Sequence, residues 1–307
     1  MKVVLAGGTG HVGQVLQRHF AVRRDEVVVL SRSSHVRWDG RTLGPWAREL
    51  DGADVVINLA GRSVSCRYTK DNLAQMLSSR VDSARVIGEA IAQCATPPGL
   101  WLQMSTATIY SDTRGPAHDE SGELGGHEPG VPPYWEFSVR IARDWEAAQQ
   151  EHDLPDTRRV ALRAAMVMSP DRGSVFDVLS RMVPLALAGP VAGGGQYVSW
   201  IHEQDFCRAV DHLIAGALEG PVNLCSPDPL TQRELMRVLR RAQHHYLGLP
   251  ATRWMAEIGA WAMRSDTELL LKSRRVVPGR LLADGFAFDL PSWPEAAADL
   301  VRRARAA

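Results

Sequence analysis

A doubly wound α/β fold with a smaller C-terminal lobe is predicted by three features of this 307-residue chain. A short apolar run almost at the N-terminus leads into a glycine-rich turn and a helix-compatible segment. Strand-like and helix-like segments then alternate through the first half. Beyond Val167 that rhythm breaks up among prolines and glycines. Alternation of this type gives a parallel sheet with crossover helices on both faces.

The first strand is predicted over residues 3–6, followed by the turn Gly7-Gly8-Thr9-Gly10-His11-Val12-Gly13 and a helix over 14–23. Gly7 permits the tight turn, Gly10 removes the Cβ that would block backbone approach, and Gly13 lets the helix pack close to the strand. This is the Rossmann-type arrangement for a dinucleotide pyrophosphate, whose charge the free N–H groups and dipole of a helix N-terminus favour. Glycine triplets also serve as plain bends, but a second strand over 27–30 arrives at the distance the binding motif requires. That strand runs into Ser31-Arg32-Ser33-Ser34. An NAD site has Asp or Glu here, accepting from the ribose 2′-OH. Hydroxyls and a guanidinium suit a 2′-phosphate instead, so NADP(H) is the predicted cofactor.

A short third strand over 36–38 and a buried fourth over 54–59, ending in Ala60-Gly61, continue the series. A long helix over 70–94, a fifth strand over 100–105, a helix over 137–151 and a sixth strand over 159–163 complete it. Residues 1–166 are expected to form the NADP(H)-binding domain. Residues 167–307 are expected to form a smaller substrate lobe, partly interleaved with the sheet, with helices over 204–217, 232–242 and 294–305. The apolar stretches 183–187 and 254–261 suit either a hydrophobic pocket or helix packing, and Gly193, Gly194 and Gly195 either a lid or a turn.

Composition narrows the function. Thirty-five basic residues balance 35 acidic ones, so nothing argues for nucleic acid or an anionic membrane as partner. Cys66, Cys94, Cys207 and Cys225 show no metal spacing and read as reduced, mostly buried thiols; with no secretory peptide, a cytoplasmic protein acting on a small molecule is expected. Residues 182–201 carry no charge, but their prolines and glycines preclude a membrane span. Leu73, Leu77 and Ile91 on the long helix would serve a homodimer or packing on the sheet.

Four motifs give the chain a family resemblance: the Gly7–Gly13 turn, Asn58-Leu59-Ala60-Gly61, Ser105-Thr106-Ala107-Thr108-Ile109-Tyr110, and Ser199-Trp200-Ile201-His202-Glu203-Gln204-Asp205. On them it resembles the extended and atypical short-chain dehydrogenase/reductase superfamily of NAD-dependent epimerase/dehydratase type. It looks like an epimerase-like subgroup marked by Ser79-Arg80, Trp145-Glu146, Leu162-Arg163, Gly195-Gln196, Val277-Pro278 and Gly285-Phe286-Ala287-Phe288. The resemblance implies strand order 3-2-1-4-5-6. It implies a cofactor site built from Gly7, Thr9, Gly10, His11, Val12, Gly13, Ser31, Arg32, Leu59, Ala60, Gly61, Arg80, Met104, Ser105, Arg163 and Val167, and no metal. Arg80 and Arg163 read equally well as structural arginines.

The superfamily's chemistry rests on a Ser or Thr, a Tyr, and a Lys four residues after that Tyr. Thr106 supplies the hydroxyl. The Tyr–Lys pair is missing: the chain's only lysines are Lys2, Lys70 and Lys272, and none follows a tyrosine at that spacing. Tyr110, Tyr134 and His202, with Glu136 and Tyr197 behind them, are the candidate substitutes. An NADP-dependent oxidoreductase or epimerase is therefore one reading, and a protein that holds or senses NADP(H) without catalysis the other.

Overall fold

The computed structural model describes residues 1–64, 66–126, 128, 132–252 and 271–306, the side chains of Pro133 and Tyr134 excepted. The first half runs β1 (Lys2–Ala6), α1 (His11–Val22), β2 (Glu26–Ser31), β3 (Val36–Arg37), β4 (Val55–Asn58), α2 (Lys70–Ala92), β5 (Leu100–Thr106), α3 (Pro133–Ala148) and β6 (Arg158–Ala164). The second half adds β7 (Met166–Met168), α4 (Val175–Met182), β8 (Tyr197–Val198), β9 (Trp200–His202), α5 (Glu203–Ala215), β10 (Gly220–Leu224), β11 (Leu230–Thr231), α6 (Gln232–Ala242), α7 (Gly279–Ala283) and α8 (Trp293–Ala306).

Seven strands form one sheet in the order β10-β6-β5-β4-β1-β2-β3, and every pairing in it is parallel. The expected order 3-2-1-4-5-6 is present, extended by β10 beside β6. Successive residues of a strand point to opposite faces, and the core divides accordingly. Val3, Leu5, Val55, Ile57, Leu100 and Leu102 pack with α1 and α5 on one face. Val4, Ala6, Val56 and Trp101 pack with α2 and α3 on the other. Strands buried on both faces read as continuous apolar runs, which is why β1 and β4 are conspicuous in the sequence.

β10 is not conspicuous. Its Pro221 and Asn223 disguise it, but Pro is tolerated on an edge strand, and Asn223 is satisfied by partners described below. α5 and β10 thereby join the sheet core: Phe206, Val210, Leu213, Val222 and Leu224 are fully buried with β1 and β6 residues. A separate core gathers Phe176, Val183, Trp200, Leu235, Leu239, Trp293 and Leu300 beneath α4, α6 and α8. β7 and β9 pair between the two cores, Val167 opposite Ile201.

Several local expectations change. α3 begins at Pro133, four residues before the predicted start, because Pro is at home in the first helical turn, where its missing N–H costs nothing. Ile91 is committed to the core at 2% exposure, so it offers nothing to a dimer. Gly193 and Gly194 adopt φ of +85° and +65°. Their carbonyls accept from the Arg233 side chain and backbone, which makes the glycine run a turn latched to α6. Of the stretch 183–187, Val183 is buried while Leu185 and Leu187 are exposed; the stretch 254–261 lies outside the described residues. Cys207 and Cys225 are buried and Cys66 and Cys94 half-buried, all four free. Among the described residues no helix is long and apolar enough to cross a membrane, and no group of three or more His, Cys, Asp or Glu side chains is placed to hold a metal ion.

Candidate cofactor and reaction site

The glycine turn sits at the carboxyl edge of β1, in the middle of the sheet. Gly7 has φ +76°, and a Cβ there would lie 2.7 Å from Ala60 Cα after β4. At Gly13 a Cβ would lie 2.1 Å from the Gly8 carbonyl oxygen. The close approach at Gly13 is thus to the turn's own backbone rather than to the strand. At Gly10 the only neighbour is the Gly7 oxygen at 3.9 Å: the space in front of it is open. α1 starts there with no side-chain cap and no acidic residue in its first turn. An uncapped helix start facing open space suits an anion. Thr9 and Gly10 are exposed and Val12 is half-buried against the core. The His11 ring is drawn away to Ser169, Nε2 to Oγ 2.6 Å.

At the end of β2, Ser31 is buried and its Oγ accepts from the amides of Ser33 (3.1 Å) and Ser34 (2.8 Å). The Ser31 hydroxyl therefore shapes the loop, and the loop presents Arg32 exposed to solvent. After β4, Leu59 N donates to Ala6 O (2.8 Å), and Asn58 Oδ1 accepts from Ala60 N (3.0 Å). Gly61 lies against the Arg80 guanidinium, which a Cβ would meet at 3.1 Å. Arg80 stacks 5.0 Å from the Trp145 ring centroid and donates to Met76 O (2.9 Å). Burial pushes its pKa down to about 10.

The carboxyl ends of β5 and β6 hold a buried polar chain. Ser105 Oγ donates to Glu146 Oε1 (2.6 Å), and Glu146 takes Arg163 in a two-point pair at 2.9 Å each. Arg163 Nη1 donates to the Tyr110 oxygen (2.9 Å), and Tyr110 donates to Asn223 Oδ1 on β10 (2.7 Å). Burial works against the Arg163 charge, but Glu146 and Tyr110 hold it firmly protonated. Burial also pushes the Tyr110 pKa up to about 12.

The geometry places four of the expected site residues in contacts within the protein. Tyr110 is 2% exposed and bonded on both sides. Arg163 and the Ser105 side chain both bond to Glu146. His202 is fully buried: its Nδ1 accepts from Gln204 N, capping α5, and its Nε2 meets Asp299 at 3.1 Å. Burial lowers its pKa, with Asp299 opposing.

Thr106 stays at the edge, half-buried. Its Oγ1 accepts from Thr108 N (3.2 Å), which leaves its own proton to offer a ligand. Met104 precedes it, half-buried, and Val167 is buried beside Ile201. Glu136 is exposed, Tyr197 lies under Arg275 (4.3 Å), and the Tyr134 side chain lies outside the described residues. Sequence reasoning missed Lys272 and Arg274, which reach Thr108 from 164 and 166 residues away. No local spacing announces a contact of that separation.

The model of the NAD dependent epimerase/dehydratase family matches residues 3–225, and that of a domain of unknown function, DUF1731, matches 253–300. The epimerase family protein SDR39U1 of Bos taurus is 28% identical over 98% of this chain and 100% of its own. The epimerase family protein YfhF of Bacillus subtilis is 26% identical over 94% of each. Among solved structures, human SDR39U1 with NADPH superposes with a TM-score of 0.84 at 24% identity, covering 98% of this chain and 99% of its own.

Proposed function

The chain belongs to the NAD-dependent epimerase/dehydratase family, and from that premise we propose that it binds NADP(H) along the carboxyl edge of its sheet. The reading continues with an oxidoreductase or epimerase acting on a small molecule without the usual Tyr–Lys pair. One observation carries it: open space in front of Gly10 at an uncapped helix start. The pyrophosphate belongs there, with Thr9 and the first amides of α1. Arg32, exposed at the end of β2, takes the 2′-phosphate in place of the carboxylate an NAD site would carry. The nicotinamide half then runs past Ala60, Gly61 and Met104 to Thr106. The NADPH in the human SDR39U1 structure supports this choice of cofactor.

NADPH is expected to bind more tightly than NADH. Arg32→Ala removes most of that difference, about 1.5–3 kcal/mol, the scale of a hydrogen bond to a charged group. Titration by NADPH fluorescence measures it, and equal affinity of the unaltered protein for both cofactors refutes the assignment.

A second reading, NADP(H) held without turnover, is favoured by the burial of Tyr110 and His202, which removes two candidate acids. Following NADPH absorbance against a panel of carbonyl compounds separates the two. Tight binding with no oxidation across the panel supports the second.

A further inference from the structure

Helix α6 carries four arginines, Arg233, Arg237, Arg240 and Arg241, against a single acidic residue, Glu234. Arg233 is held at the Gly193 carbonyl, and Glu234 at its own N-cap, Thr231. Arg237, Arg240 and Arg241 fall three and four residues apart, which puts them on one face of the helix. The helix then ends in a chain reversal. His244 takes φ +63°, its N–H donates to Arg241 O (3.0 Å), and the N–H of His245 donates to Arg240 O (2.8 Å). These are the two bonds of a Schellman ending, and they fold the chain back beside the arginine face. Arg237, Arg240, Arg241, His245 and Tyr246 together line a hollow of about 220 Å³.

Arginines near the end of a helix can serve its last carbonyls. Here the Arg240 and Arg241 carbonyls already accept from backbone N–H groups, so capping does not account for the cluster. Arg240 is anchored: its Nη1 donates to Ala188 O, and a Cβ on Gly248 would lie 2.6 Å from the same nitrogen. Arg237 and Arg241 are exposed. Among the described residues no carboxylate forms an ion pair with Arg237, Arg240, Arg241 or His245. Like charges at these helical spacings repel one another, and a bound anion relieves that repulsion. We propose that the hollow binds a phosphate group. A guanidinium fork matches phosphate oxygens two at a time, and arginine clusters recognise phosphorylated ligands in this way. None of the five residues lies on β1, α1, β2, β4 or β5, so the site is separate from the proposed cofactor cleft. The same chemistry has two sources, a soluble polyphosphate and the headgroup of an anionic lipid. The surroundings admit both. Leu247 and Leu249 follow Tyr246, and Leu249 N donates to Ala186 O (2.8 Å), between Leu185 and Leu187; all four leucines are exposed and would meet the acyl chains of a lipid.

The test titrates inorganic triphosphate into the full-length protein and into the double variant Arg237→Gln/Arg241→Gln, by calorimetry with NADPH in excess. Both side chains are exposed and without hydrogen bonds among the described residues, so the fold does not depend on them. The unaltered protein is expected to bind triphosphate, and the double variant to bind it about tenfold or more weakly, the scale of losing a hydrogen bond to a charged group. NADPH affinity is the same in both. Equal triphosphate affinity in the two proteins overturns the proposal. So does a polyglutamate peptide that binds as tightly as triphosphate, because charge alone would then suffice. Sedimentation with phosphatidylcholine vesicles, with and without phosphatidic acid, separates the sources. Capture by phosphatidic acid that the double variant loses supports the site and assigns the phosphate to a lipid. Triphosphate binding without capture supports it and assigns a soluble ligand, and neither overturns it. A protein that binds triphosphate in the hollow but no NADPH leaves this site standing and refutes the cofactor reading instead.

Discussion

Tyr110 and Gly10 show how much a single residue's role depends on what surrounds it. Tyr110 stands in a motif that points to catalysis, four residues after Thr106, yet its hydroxyl ties β10 to Arg163 deep in the molecule. Tyr110→Phe leaves Arg163 and Asn223 each short of a buried partner. It is expected to lower unfolding free energy by about 1–3 kcal/mol without changing NADPH affinity, as urea unfolding and a binding titration would show. A variant of native stability that no longer binds NADPH would return Tyr110 to the site. Gly10 is the converse case: only a carbonyl oxygen at 3.9 Å stands near the missing Cβ, so the fold has no steric need of glycine there. Gly10→Val should fold yet lose NADPH, because the side chain fills the phosphate space. Gly13→Ala, whose Cβ would press on the Gly8 backbone at 2.1 Å, should instead unfold more readily. A folded Gly10→Val with undiminished affinity contradicts the pyrophosphate assignment.

At the scale of elements, legibility followed burial pattern and capping chemistry. β1, β4 and β5 declare themselves as apolar runs, and α6 begins with a reciprocal cap in which Thr231 accepts from Glu234 N while Glu234 reaches back. Such S/T-x-x-E starts are visible in sequence. The cap matters beyond α6 because Gln232 and Arg233, its first residues, hold the 189–194 turn. Thr231→Ala is expected to cost about 1 kcal/mol, read as a lower midpoint in thermal unfolding; no shift would show that the turn contacts alone hold the helix start. β10 was illegible for a physical reason. Its Pro and Asn look like loop residues until an edge position spares the Pro its donor and the chain supplies Asn223 with Tyr110, Glu120 and the Val277 carbonyl.

The whole molecule is tied together by charge as well as by its cores. His11 at the glycine turn meets Ser169, Ser169 meets Asp171, and Arg18 bridges Asp171 (2.6 Å) and Glu203 (3.2 Å). Arg303 on α8 pairs with the same Glu203 and with Asp299, the partner of His202. The proposed cofactor turn is thus linked to the last helix through groups that titrate. Burial lowers the pKa of both His11 and His202, so the unfolded chain binds more protons than the folded one just below their ordinary value of about 6.5. Their contribution to stability is complete above that pH and is lost as pH falls through the folded values. Asp171 and Asp211, held below the usual carboxylate range by Arg18 and His19 against the pull of burial, add a second loss at lower pH. Melting temperature should fall as pH drops from about 7 to 5, and His202→Gln should flatten that slope if it folds. A melting temperature constant across this window rules the histidines out.

The sequence by itself determined the class of the fold and the glycine turn, because each is written in periodicity and in residue types with local backbone consequences; the order of the first six strands came from the family resemblance. Arg32 in the place of a carboxylate was equally local. Tertiary structure alone decided which polar side chains are engaged within the protein. Ser105, Tyr110, Arg163 and His202 all carry site-like chemistry, and all four are consumed by partners 17 to 113 residues away or, for His202, by Asp299 on the last helix. Lys272 carried no signal in its own neighbourhood, yet its ammonium reaches the end of β5. Burial and pairing are properties of contacts between distant segments, and a linear pattern encodes the chemistry of a side chain without encoding what it will meet.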